Sequence, residues 1–291
     1  MVWYRLAGQE FHFFGPVPEA ASFEITNREE GTADEAVPFV SASLLLNNLI
    51  SRTEGWVANA QRMVETWSGS FGFLLQVAGG RDFTISPDGQ MIQYASEEQG
   101  SEGLNETDRQ ILLGPVIVLS LALRGSWSLH ASAANFNNNL ILFLGESGQG
   151  KSTLAGYLAN EAGWRLAADD ILPVTMGTES VVAWPRFPQL KLPVDAQPGP
   201  GLPEQLPISK VCVLSDVGVE KMPALERLPA IQAVQAYLGH TAGTRLFNSD
   251  LLAQHLAFCS WAAERVPAYR LIYPHRWETL QEVKDLLEKT C

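Results

Sequence analysis

Residues Gly145 to Ser152 read G-E-S-G-Q-G-K-S and match the pattern G-x-x-x-x-G-K-[ST]. An apolar run, Leu140 to Leu144, precedes them, and a helix-forming run, Thr153 to Ala162, follows. Strand, glycine-rich loop and helix in that order require an α/β core. Glycines let the backbone curl so that successive N–H groups point into one concavity, which suits polyphosphate oxygens. The start of the helix adds positive potential there. The pattern makes Gly145, Glu146, Ser147, Gly148, Gln149, Gly150, Lys151, Ser152 and Thr153 the nucleotide-binding segment. Lys151 is expected to reach the β/γ-phosphates of ATP or another nucleoside triphosphate, and Ser152 to bind Mg²⁺.

A second signal follows closely. Trp164-Arg-Leu-Ala-Ala leads to Asp169-Asp170, then Ile-Leu-Pro-Val. An apolar strand ending in Asp beside a phosphate loop is the usual second anchor for Mg²⁺. Neighbouring strand residues point to opposite faces, so a plain strand would aim one Asp at the site. At a strand end both can turn inward, one to hold Mg²⁺ and the other to accept a hydroxyl proton. A solvated strand end with Asp170 capping a turn fits the same letters.

The run Trp127-Ser-Leu-His-Ala-Ser-Ala-Ala alternates. Trp127, Leu129, Ala131 and Ala133 fall on one face, and Ser128, His130 and Ser132 on the other. His130 therefore sits on a small polar face, where a neutral imidazole could shuttle a proton or donate to a phosphate. A structural histidine bonded to backbone fits that pattern too.

His130, the loop, a short helix and then Leu-Ala-Ala-Asp-Asp together resemble the HPr kinase/phosphorylase family. The likeness is greater to the HPr-kinase-like proteins of ribosomal-peptide pathways, including lasso-peptide precursor kinases. It is clearest from Leu129 to Val174. It continues weakly through Trp184-Pro-Arg-Phe-Pro-Gln-Leu-Lys-Leu and Arg265-Val-Pro-Ala-Tyr-Arg-Leu. The resemblance implies a P-loop core of the HPr kinase/phosphoenolpyruvate carboxykinase type. It also implies ATP and Mg²⁺ as cofactors, Ser of a peptide or protein as acceptor, and a homo-oligomer. Carried over, Asp169 is the base, His130 and Lys151 belong to the active site, and Asp170 joins Ser152 at the metal. The family's downstream glycine-rich signature has no counterpart here. Two other classes stay open: a nucleotide-dependent switch or assembly ATPase, and a small-molecule kinase.

The chain is acidic, with net charge −12 and a pI near 4.9. That argues against non-specific nucleic-acid or anionic-membrane binding. Cys212, Cys259 and Cys291 are far apart in a chain without a CxxC, so neither a zinc site nor a disulfide framework is expected. No basic stretch followed by an apolar core opens the sequence. The longest apolar stretch, Ile111 to Leu123, is broken by Gly114, Pro115 and Ser120 and is too short for a membrane span. It reads as a buried helix packed on the nucleotide domain, and a reducing cytoplasm as the setting.

Composition divides the chain into an N-terminal β-rich subdomain, 1–104, and a kinase domain, 105–291. In the first, Val2 to Phe14, Phe71 to Val77, Asp82 to Ser86 and Met91 to Tyr94 read as strands, with Pro87-Asp-Gly89 as a turn. Val40 to Ile50 and Gly55 to Trp67 fit strand or helix. Residues 96–107 read as a linker. In the second, strands are expected at 127–136, 140–144, 210–215 and 269–273. Helices are expected at 153–162, 230–238, 249–264 and 277–287, with Gly163 capping the first. Leu154, Leu158 and Ala162 should face the sheet, and Leu252, Leu256, Cys259 and Ala263 should form one buried stripe. The proline-rich segment 193–207 reads as an irregular loop. Arg186 and Lys191, with Arg245 further on, are the candidate cations for substrate or phosphate.

Overall fold

A computed structural model describes residues 2–13, 24–26, 46–57, 60–70, 72–94, 104–189, 201–216 and 222–290. The chain divides into two compact units, Met1–Gly125 with Gly243–Leu252, and Ser126–Ala242 with Ala253–Cys291. The composition boundary at 104/105 lies some twenty residues earlier. The difference comes from the helices after it, which share the first unit. Most of the proposed linker, residues 96–103, lies outside the described residues, as do residues 40–45 of the segment that fits strand or helix.

The first unit is built on an eight-stranded sheet. Its strands are β1 (Val2–Leu6), β2 (Gln9–Phe13), β3 (Glu24–Thr26), β4 (Leu46–Val57), β5 (Ala60–Gly69), β6 (Gly72–Val77), β7 (Phe83–Ile85) and β8 (Met91–Tyr94). They lie in the order β3-β1-β2-β8-β7-β6-β5-β4. Residues 60–69, which fit either element from their letters, form a strand. Val64 and Thr66 are buried on alternate positions, the period of a sheet. In the turn before β8, Asp88 accepts from the Gln90 N–H at 3.0 Å and from Ser86 Oγ at 2.5 Å. This side-chain closure is why Asp favours such a position.

The apolar stretch is not one helix. Helix α1 (Glu106–Ile111) and helix α2 (Ile117–Leu123) flank a π-helical stretch, Leu112–Val116. Gly114 there has φ −94° and ψ −108°, outside helical values. Pro115 explains the break, because it offers no N–H and pushes the preceding residue away from helical angles. Asn105 caps α1, accepting from the Asp108 N–H at 2.9 Å. The buried Asp108 carboxylate is paired with Arg81, whose Nε lies at 3.3 Å. Both helices cluster with the first unit, whereas the sequence predicts them on the second. Among the described residues no helix is long and apolar enough to cross a membrane.

The second unit mixes strands and helices. In chain order they are β9 (Ser126–Phe136), β10 (Asn139–Leu144), α3 (Lys151–Ala159), β11 (Trp164–Met176), β12 (Val181–Ala183), β13 (Leu206–Asp216), β14 (Ala224–Arg227) and α4 (Ala230–Gly239). Then come α5 (Ser249–Arg265), which begins in the first unit, β15 (Ala268–Tyr273) and α6 (Leu280–Lys289). The sheet order is β10-β9-β11-β12-β13-β15-β14, and β13 also pairs with β10. Five strands, β10-β9-β11-β12-β13, thereby join into a ring, with β15 and β14 continuing from β13. Asn137 and Asn138 turn β9 into β10 with φ of 49° and 65°. Two consecutive positive φ values make the tight hairpin turn that Asn tolerates.

Helices α3 and α6 cover one side of the sheet. Leu154, Ala155 and Leu158 of α3 and Leu280, Val283 and Leu287 of α6 share a core with Ile141, Phe143, Cys212, Leu271 and Tyr273. Helix α3 is shorter than its propensities suggest, ending at Ala159. Asn160 closes the last turn, its amide donating to the Gly156 carbonyl at 2.9 Å. Ala162 is therefore exposed, and Gly163, with φ 83°, turns the chain into β11 and does not cap the helix.

The buried stripe of α5 also differs from expectation. Leu252 and Leu256 are 45% and 50% exposed. Leu251, His255, Phe258, Cys259 and Ala262 are buried instead. These fall at i, i+4, i+7, i+8 and i+11, a proper helix face. One buried position is a histidine, so counting apolar letters alone selects a stripe about 100° round the helix.

Candidate functional site

Strand register brings the flagged residues to one level of the second unit. Phe143 of β10 pairs with Ser132 of β9, and Ser132 pairs with Asp169 of β11. The loop leaves β10 directly after Leu144, so it starts two strand spacings from the Asp pair, about 10 Å.

In the loop, Gly145, Gly148 and Gly150 have φ of 155°, 85° and 83°. At Gly148 a Cβ would meet nothing within 4 Å, so conformation and not space requires glycine there. Gln149 ties the loop to itself, accepting from the Glu146 N–H at 2.9 Å. Lys151 opens α3 and is 7% exposed. Its ammonium donates to the carbonyls of Gly145 at 2.6 Å and Glu146 at 3.1 Å. It is thus held across the mouth of the loop. Ser152 and Thr153 are exposed on the first turn of α3.

The acids do not stand at a strand end, because β11 continues to Met176. A register shift between Leu166 and Ala168 precedes them. Such a bulge increases the local twist and re-aims the side chains beyond it. Asp169 Oδ1 accepts from the Ser132 hydroxyl at 2.8 Å, while Asp170 Oδ1 lies 3.5 Å from His130 Nε2. Both acids therefore meet the polar residues of β9. Along Ser126–Asn135 all side chains are buried except His130, which is 39% exposed.

The other edge of β11 is paired with β12 only at Val174–Met176. At the acids, among the described residues, a side chain takes the place of a pairing strand. Gln189, 1% exposed, accepts from the Asp169 N–H at 2.9 Å. Its amide donates to the carbonyls of Ile171 at 2.8 Å and Phe187 at 2.9 Å. A primary amide carries both a donor and an acceptor, so it can stand in for a peptide group.

His240 also belongs to this neighbourhood. The His130 N–H donates to the His240 carbonyl, and the Ala242 N–H to the Ser128 carbonyl, each at 2.7 Å. The segment after α4 thus lies along β9. Burial holds the His240 imidazole below its ordinary pKa; Glu146 opposes this, and Lys151 and His130 add to it. Next in the chain, the Thr241 hydroxyl donates to the Tyr237 carbonyl at 2.8 Å. Its 2.8 Å contact with His255 Nε2 is then a donation from a neutral imidazole. Burial pushes His255 down to about 4 and the neighbouring Cys259 thiol up to about 12. This pair anchors the segment as neutral groups.

Arg186 is exposed and donates to the Leu202 carbonyl at 3.1 Å. Lys191 lies outside the described residues, as do 193–200 of the proline-rich segment and Cys291. Arg245 belongs to the first unit and donates to the Glu54 carbonyl at 3.4 Å. Among the described residues no three His, Cys, Asp or Glu side chains cluster in a metal-binding arrangement. Sequence reasoning missed Gln189, His240 and the bond to Ser132. The alternation that exposed His130 also put Ser132 on its face, but no local pattern marks the other two.

No family model matches this chain, and no curated protein does either. Among solved structures, the Hpr(Ser) kinase/phosphatase from Coxiella burnetii matches at 14% identity and a TM-score of 0.32. That match covers 56% of this chain and 97% of the other. So slight a likeness leaves the function to be read from the site itself.

Proposed function

We propose that the second unit is an ATP- and Mg²⁺-dependent kinase domain that phosphorylates a Ser hydroxyl of a peptide or protein. One observation supports this most. A loop of left-handed glycines, closed by Lys151, leads into a helix at the level where adjacent strands carry His130 and two Asp. In this reading the loop N–H groups and Lys151 hold the β/γ-phosphates and stabilise charge on the transferring group.

The residues suit Mg²⁺, which takes one or two carboxylates together with substrate phosphates and needs no protein cage. Ser152 and one of the Asp pair would hold it, and it would offset phosphate charge. The other Asp takes the hydroxyl proton, which brings the acceptor oxygen to the phosphorus as the bond to the leaving diphosphate breaks. By sequence, Asp169 is the base and Asp170 the metal contact. The geometry favours the reverse. Asp170 stands by the partly exposed His130, which can relay a proton, while Asp169 is fixed by Ser132 and Gln189.

A short flexible peptide, such as a ribosomal precursor peptide of the lasso type, is the expected acceptor, because an unfolded end can enter the site without unfolding a domain. The test is mass spectrometry of Ser-containing peptides incubated with enzyme and Mg²⁺-ATP. Addition of one phosphoryl group supports the kinase. ATP hydrolysis with every peptide unmodified supports a nucleotide-dependent switch instead. Asp169→Asn and Asp170→Asn then separate the roles: the base variant binds Mg²⁺-ATP and fails to transfer, and the metal variant binds it poorly.

A further inference from the structure

Among the described residues, Trp277 is the exposed tryptophan of the second unit, at 64%. It lies on the 3₁₀ turn Trp277–Thr279 between β15 and α6. The turn is rigid. The Thr279 hydroxyl donates to the carbonyls of Pro274 at 2.7 Å and Arg276 at 2.9 Å. The indole meets Tyr157 of α3 edge to face, with ring centres 5.5 Å apart at 90°. Tyr157 is itself held, its hydroxyl donating to Gln281 Oε1 at 3.0 Å. A solvent-exposed indole held against Tyr157 is apolar surface that the fold does not bury.

Its place relative to the loop is definite. The end of β15 abuts the loop, since a Cβ on Gly150 would stand 3.9 Å from the Tyr273 hydroxyl. Tyr157 follows Thr153 by four residues and Gly150 by seven, so all three share a helix face. At 1.5 Å per residue, Tyr157 lies about 10 Å along the axis from Gly150. Gly156 leaves the surface beside it open, as nothing lies within 4 Å of a Cβ there. A polyphosphate in the loop, with its α-phosphate toward the exposed Thr153, would direct its sugar along this face.

We propose that Trp277, braced by Tyr157, is the platform on which the nucleoside base of the phosphoryl donor stacks. The inference rests on the reading of residues 145–153 as a polyphosphate site. Stacking on an aromatic face tolerates any base, so the platform supplies affinity for a nucleoside over bare polyphosphate without selecting strictly among bases.

Calorimetry with Mg²⁺-ATP and with Mg²⁺-tripolyphosphate, which has no base, tests this. Trp277→Ala should weaken ATP binding about tenfold and leave tripolyphosphate unchanged. Trp277→Phe should restore most of the loss, and Lys151→Ala should weaken both ligands. Wild-type ATP affinity in Trp277→Ala overturns the proposal, and so does equal weakening of both ligands. Failure of the wild type to bind either ligand overturns the polyphosphate reading itself, and the platform with it.

Discussion

Replacing Gln189 by alanine should destabilise the second unit and impair transfer more than nucleotide binding. The side chain is buried and makes three well-formed hydrogen bonds to backbone: one to the Asp169 N–H and one each to the Ile171 and Phe187 carbonyls. Each such bond contributes about 1 kcal/mol net, so the loss is about 3 kcal/mol. For a domain of this size that lowers the melting midpoint by roughly 6–12 °C. The phosphate loop hangs from β10, so Mg²⁺-ATP affinity should fall less than turnover, the loss coming through the displaced acid at the metal. The acids hang from β11, whose edge is then unpaired, so turnover should fall at least tenfold. Gln189→Glu is a sharper probe. Its carboxylate keeps the acceptor for Asp169 but faces two carbonyls with no hydrogen to donate, so it should be no more stable than the alanine variant at neutral pH. Thermal melting, calorimetry with Mg²⁺-ATP and a transfer assay measure the three effects. An alanine variant that melts within about 2 °C of wild type and turns over normally would refute the claim that Gln189 holds the strand edge (both limits being roughly the noise of a surface substitution).

Two further outcomes are expected. Lys151→Ala should lose nucleotide affinity and nearly all turnover while keeping its fold, because the ammonium donates to carbonyls of the loop and is no part of the apolar cluster beneath α3; calorimetry and circular dichroism check this. The folded His255 has its pKa depressed to about 4, so between about 4 and 6.5 the unfolded chain binds a proton that the folded one does not. Stability should therefore fall as pH drops through that window, by on the order of 2–3 kcal/mol, and urea titrations of His255→Gln should show a shallower decline.

Much of the local structure of the second unit was legible in its letters, because the features concerned are short-range. The loop pattern, the Asn-Asn hairpin, the apolar strands and the alternation that isolates His130 depend on residues a few positions apart. Local patterns mislead where a distant partner decides. Helix α5 buries a histidine because Thr241 and Cys259 are there to meet it, so its true face could not be found by counting apolar residues. The Asp pair sits mid-strand, and a bulge together with Ser132 and His130 across the ladder, not a strand end, brings both acids to polar company. Gln189 and His240 reach the site from segments 20 and about 70 residues beyond Asp169, by bonds that no local spacing encodes. The sequence by itself determined which residues are candidates to bind phosphate, metal and a proton. Only the tertiary structure decided how they are held, because the groups that orient them are backbone atoms and amides brought near by strand pairing.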